Sequence, residues 1–162
     1  MASISIDKFL FWYFLIHIPI TIFIDSSCVV PSEYQLSFAQ QIVDFHISTN
    51  NDILLAHPQT WFKIFVTFEV VFQLPLFVYF VVKYLRDSLD VDYYLWSIVY
   101  GFNAGFTTFV CLVWLGIEYK SYDLTTPQVI KLCGVYAPYI IIPLLVIVNA
   151  FYKIKTMKLK TD

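Results

Sequence analysis

The chain has 162 residues, 59% hydrophobic, 20% aromatic and only 14% charged, with a formal net charge of −2. Its mean hydropathy is +0.71. A water-soluble domain of this size cannot hide so much apolar surface in one core, because charged residues ordinarily make up about a quarter of such a chain. Lipid is the expected solvent. The near-neutral charge and the lack of a basic aromatic patch give no footing for nucleic acid.

A bilayer core of about 30 Å takes roughly 20 apolar residues per helix. Four stretches qualify, at roughly residues 8–29, 60–85, 93–117 and 128–152. The predicted fold is therefore all-α: a single polytopic membrane domain over residues 1–162, built as a four-transmembrane-helix bundle with proline-kinked helices. The first span ends in HIPITIFIDSS, which puts His17, Pro19 and Asp25 inside an apolar run. A polar loop with Asp44, His46, Asp52 and His57 separates it from the second span. The remaining loops are short. Cys28, Cys111 and Cys133 show no CxxC or Cys/His zinc spacing and read as small buried hydrophobes, so no metal or other cofactor is expected.

Orientation follows the cations. With the amino terminus in the cytosol, seven (Lys8, Lys83, Arg86, Lys153, Lys155, Lys158 and Lys160) share that side and three (Lys63, Lys120 and Lys131) face away. Both termini are expected in the cytosol. Residues 153–162 then form a basic cytosolic tail whose KLKTD ending places Lys158 and Lys160 in the dilysine KxKxx arrangement of an endoplasmic-reticulum retrieval signal. The other reading of that tail is a basic segment bound to anionic lipid.

Polar groups inside the spans carry the functional argument. Tyr13, His17, Thr21 and Asp25 step by four along one helix face. Glu69 lies about nine residues into the second span, about 13 Å deep at 1.5 Å per residue, with Gln73 one turn on. Antiparallel neighbours would bring Asp25 and Glu69 into the same half of the membrane, and a carboxylate there must face the bundle interior. Asn103 and Thr107 are four apart on the third span, and Tyr136 and Tyr139 bracket a proline in VYAPYIIIP. Pro19, Pro75, Pro138 and Pro143 each delete a backbone donor, a break tolerated in lipid where protein or a cavity supplies partners. The pattern predicts an acidic, aromatic-walled cavity suited to a flat apolar molecule with an amine. The alternative at this level is that the two acids satisfy backbone or tyrosine donors and hold the bundle together. His17 alone reads as a packing residue as readily as a ligand contact.

Three blocks in order, HIPITIFID, WFKIFVTFEVVFQLP and VYAPYIIIP, resemble the sigma-2 receptor family (transmembrane protein 97) within the EXPERA group, which also holds the emopamil-binding sterol isomerase. The resemblance covers all four spans and implies an endoplasmic-reticulum protein with a cavity in the lumenal half, open sideways to lipid. It implies that Asp25 pairs with a ligand amine and that Glu69 holds Asp25. Asp52 would support the pocket structurally, and Gln73, Thr107, Tyr136 and Tyr139 would line or buttress it. The third span matches least well, which bears on Asn103 and Thr107. The isomerase carries a histidine one turn before its second-helix acid, and here that position is Phe65, which cannot transfer a proton. Binding or transport of sterol-like lipids and cationic amphiphilic amines is therefore expected over catalysis. The family also implies a homodimer, for which Gly101 and Gly105 offer one candidate helix stripe. It further implies links to sterol transport or, in fungal relatives, to the handling of mitochondrial precursors stranded at the endoplasmic reticulum.

Overall fold

A computed structural model describes residues 5–158, and they form eight α-helices joined by short turns, with no strand among them. α1 (Ile6–Phe23) starts where the Ser5 hydroxyl accepts the Lys8 N–H at 3.2 Å, filling one of the donors that every helix start leaves open. α2 (Ser37–Asn50) and the single turn α3 (Ile53–Ala56) lie between the first and second spans. α4 (Thr60–Phe68) and α5 (Leu74–Leu85) are one rod interrupted by a wide π-turn, Glu69–Gln73. α6 (Val91–Glu118) is the long third span, N-capped by the Asp90 carboxyl on Tyr93 N–H at 2.9 Å. α7 (Thr126–Tyr136) and α8 (Pro138–Lys158) make up the fourth.

Four helical stretches, Ile6–Cys28, Thr60–Leu85, Val91–Tyr122 and Thr126–Met157, are long and apolar enough to cross a bilayer. Only 22–33% of the most apolar window of each is buried. An outer surface that apolar needs lipid against it. α1 packs on α5, and α6 on α8. The α6–α8 approach is close at Gly101, where a Cβ would stand 2.7 Å from Ile147 Cγ1 and 2.8 Å from the Pro143 carbonyl. Gly101 thus serves packing within the chain rather than an outward stripe. The fourth helix also runs on past residue 152: Lys153 lies inside α8 and pairs with the buried Asp7 of α1, which Asn149 contacts at 2.9 Å. The backbone of Lys158 ends α8, whereas Lys160 lies outside the described residues.

The interior divides in two. Towards the end that carries both termini, Phe14, Phe77, Phe80, Tyr93, Tyr94 and Tyr100 form an aromatic core with Leu10 and Val146. Towards the α2 end, Ile53, Leu54, Phe62, Val66, Cys111, Leu115, Val129 and Leu132 form a second, more aliphatic one. The cavity lies where the two meet.

Candidate functional site

Both acids stand on irregular helix. The sequence predicts a continuous first helix to about residue 29, but α1 stops at Phe23 and Asp25 opens a 3-10 turn, Asp25–Cys28. Pro19 withholds a backbone donor inside α1 without ending it, and at the end the Ser26 hydroxyl donates to the Ile22 carbonyl at 2.6 Å, an alternative to regular helix. Pro19 itself is exposed and acts on backbone only. Glu69 opens the π-turn, in which Leu74 N–H reaches back five residues to the Glu69 carbonyl. Pro75 explains that turn, because its ring would strike the carbonyl of residue 71 in a regular helix. Turns of this kind often mark functional positions.

Thr21, fully buried one turn before Asp25, donates from its hydroxyl to Glu69 Oε1 at 3.0 Å. Asp25 lines the same cavity as Glu69, one helical turn beyond Thr21. Among the described residues neither acid has a Lys or Arg partner. They face a cavity of about 210 Å³ together with Phe62, Phe65, Thr107, Cys111, Tyr136 and Tyr139, under a cover that includes His46 of α2 and Leu55 of α3.

A second, smaller chamber of about 60 Å³ shares Glu69, Thr107, Thr108 and Tyr139 with the first and adds Tyr13, His17, Gln73 and Tyr100. His17 Nδ1 donates to the Tyr13 carbonyl at 3.1 Å, its ring stands 5.5 Å from that of Tyr139, and its Nε2 is buried with no partner. Tyr13 and Tyr100 join hydroxyls at 3.0 Å, and Gln73 donates to Asn103 Oδ1 at 2.8 Å. The predicted residues therefore fall into two groups. Asp25, Glu69, Thr107, Tyr136 and Tyr139 face the larger chamber, whereas His17 and Gln73 face only the smaller one, with Asn103 behind Gln73.

Asp52 is fully buried and accepts four hydrogen bonds. Oδ1 caps α3 on Leu54 N–H and Leu55 N–H at 3.0 and 3.2 Å. Oδ2 takes the Tyr136 hydroxyl at 2.9 Å and His46 Nε2 at 3.0 Å. A proton on His46 Nε2 leaves Nδ1 free to accept from Asn50 Nδ2 at 3.3 Å, so one tautomer satisfies both contacts. Asp52 thus ties the α2–α3 cover to a cavity wall. The sequence showed His46 only as a loop residue, and the sole signal for its place was its spacing of six from Asp52.

Among the described residues no group of three or more His, Cys, Asp or Glu side chains could hold a metal ion, and the three cysteines are free thiols. Four apolar spans around two acids that line one cavity define a polytopic membrane protein with a partly open acidic chamber. The EXPERA (EXPanded EBP superfamily) profile matches residues 38–150, and the chain belongs to that family. It is 45% identical over 149 residues to Efficient mitochondria targeting-associated protein 19 of Saccharomyces cerevisiae, covering 85% of this chain and 92% of that one. It is 31% identical over 165 residues to the Sigma intracellular receptor 2 of Homo sapiens, covering 91% and 90%. A second fungal relative, Efficient mitochondria targeting-associated protein 19 of Schizosaccharomyces pombe, is 25% identical over 143 residues, covering 88% and 73%.

Proposed function

We propose that this protein binds sterol-like lipids and cationic amphiphilic amines in the larger chamber, within the endoplasmic-reticulum membrane and with both termini in the cytosol. One observation carries the reading: Asp25 and Glu69 meet in an aromatic-walled cavity with no protein cation among the described residues to neutralise them. The two carboxyls present acceptor oxygens to the cavity, which suits a cationic headgroup. Thr21 fixes Glu69, and Asp25 is left to meet a ligand ammonium. At about 210 Å³ the chamber is smaller than the roughly 300–1,000 Å³ of ordinary ligand pockets. A bound amphiphile therefore spreads the walls or leaves part of its body outside. Phe65 lines the chamber where a proton-transferring group would be needed, which favours binding over sterol isomerisation. The cations near the end that carries both termini, Lys8, Lys83, Arg86 and Lys153 among them, support the orientation.

Binding of a cationic amphiphile to purified protein in nanodiscs tests this. Truncating one partner of a buried charge pair costs about 2–5 kcal/mol, so Asp25→Asn should weaken amine binding at least about 30-fold while the protein still folds. Normal affinity in both Asp25→Asn and Glu69→Gln would refute the pocket reading. Isomerised product from sterols carrying a movable ring double bond would restore the enzyme reading.

The 45% identity to Efficient mitochondria targeting-associated protein 19 supports a second reading, a role in handling mitochondrial precursor proteins. Crosslinking in native membranes separates the two: precursor adducts that persist in Asp25→Asn place that role outside the chamber.

A further inference from the structure

We infer that α2 is an interfacial helix, laid into the headgroup region of the bilayer that the four spans cross, with lipid as the partner of its exposed apolar stripe. At about 100° per residue, its side chains fall into three faces rather than two. Ala39, Val43, His46 and Asn50 turn towards the protein, buried or half-buried. Ser37, Gln41, Asp44 and Ser48 form an exposed polar face. Between them lie Phe38, Ile42 and Phe45, spaced four and three apart and 49%, 43% and 70% exposed, with exposed Thr49 closing the same stripe at the end of the helix. A helix on a water-soluble surface needs only two faces, one for protein and one for water. A third, apolar and uncovered, fits a helix with protein on one flank, water above and acyl chains below.

The stripe is also continuous with surface that already faces lipid. The Phe38 ring meets Phe23 edge-on at 5.2 Å, at the last residue of α1, whose Ile16 and Ile22 point outward. Leu36, immediately before α2, is exposed as well. The helix is fixed in place by the chain on both sides. Gln35 donates to the Ser27 and Val30 carbonyls at 3.0 and 2.7 Å, Gln40 to the Ser32 carbonyl at 2.8 Å, and Lys131 of α7 to the Thr49 carbonyl at 2.6 Å. Residues 32–60 contain no Lys or Arg. Apolar insertion, rather than attraction to anionic headgroups, is therefore what holds the helix down, and its depth should not depend on anionic lipid.

Nitroxide accessibility tests the placement. The full chain, with Cys28, Cys111 and Cys133 replaced by Ala, carries one label at Phe45→Cys, Ile42→Cys or Gln41→Cys in phosphatidylcholine nanodiscs. Labels at 45 and 42 should relax more with oxygen than with a water-soluble nickel complex, and the label at 41 should show the reverse. Adding anionic lipid should leave all three unchanged. Nickel access at 45 and 42 equal to that at 41 would place the stripe in water and overturn the proposal. Shielding from both reagents would overturn it as well, by showing that a second copy or another protein covers the face. Phe45 is so exposed that its replacement leaves folding intact, and Ile42 gives an independent reading of the same stripe.

Discussion

Replacing Asp52 by alanine should destabilise the protein more than any other single change at the cover of the cavity, and the size follows from its four hydrogen bonds. Losing the cap on Leu54 and Leu55 costs about 1 kcal/mol. Leaving the Tyr136 hydroxyl buried without its acceptor costs about 1–3 kcal/mol more. His46, partly exposed, can turn to water at little cost. The sum is about 2–4 kcal/mol, or a fall in Tm of about 5–15 °C for a chain of this length. Asp52→Asn is the informative partner. Its amide oxygen keeps the helix cap, but its Nδ2 can only donate to the Tyr136 oxygen and leaves that hydroxyl proton without its acceptor, so the loss should be about 1–3 kcal/mol, smaller than alanine's by the cap. Thermal unfolding in nanodiscs, followed by tryptophan emission, measures both. If alanine melts within a degree of the parent, or asparagine falls as far as alanine, Asp52 is not the tie between cover and wall described here.

Gly101→Ala sets a Cβ against the Pro143 carbonyl, which cannot move aside as a side chain can, and should cost about 1–3 kcal/mol by overpacking. Gly134→Ala in α7 meets nothing within 4 Å and should instead stabilise by about 0.5–1 kcal/mol; unfolding of the two variants should move in opposite directions. Asp90 is held below the usual carboxylate range by the Lys83 ammonium and the Tyr93 N–H. Its folded-state pKa is depressed, so its contribution is present at neutral pH and is lost as pH falls from the ordinary carboxylate value through the lowered one. Asp90→Ala should cost about 1 kcal/mol as a lost N-cap at pH 7, and less at pH 3, read as the difference between the two melting curves.

The four spans were legible because apolar length is a one-dimensional property, and the family followed from three short blocks along them. The meeting of Asp25 with Glu69 was legible too, since antiparallel neighbours place equal depths side by side. What stayed hidden depends on contacts between distant residues or on small departures from regular helix. α2 reads as loop because among its 14 residues only Ala39 and Val43 are buried. The split of the site into two chambers could not be read either: Gln73 shares a face with Glu69 in regular α-helix, and the π-turn sends it towards Asn103. Nothing in the sequence joins Asp7 to Asn149 and Lys153, which close on it from the far end of the chain.

The wide turn at Glu69–Gln73 takes up one residue more than regular helix would, and so keeps the halves above and below it in step. Removing the outward-facing Val71 inside the turn would leave the two halves close to their present facing, whereas removing a residue from regular helix, such as the exposed Val78 of α5, would swing the rest of the rod through about 100°. Phe80 would then leave the aromatic core, with every remaining side chain chemically intact. In this rod the tally of residues matters as much as their identity.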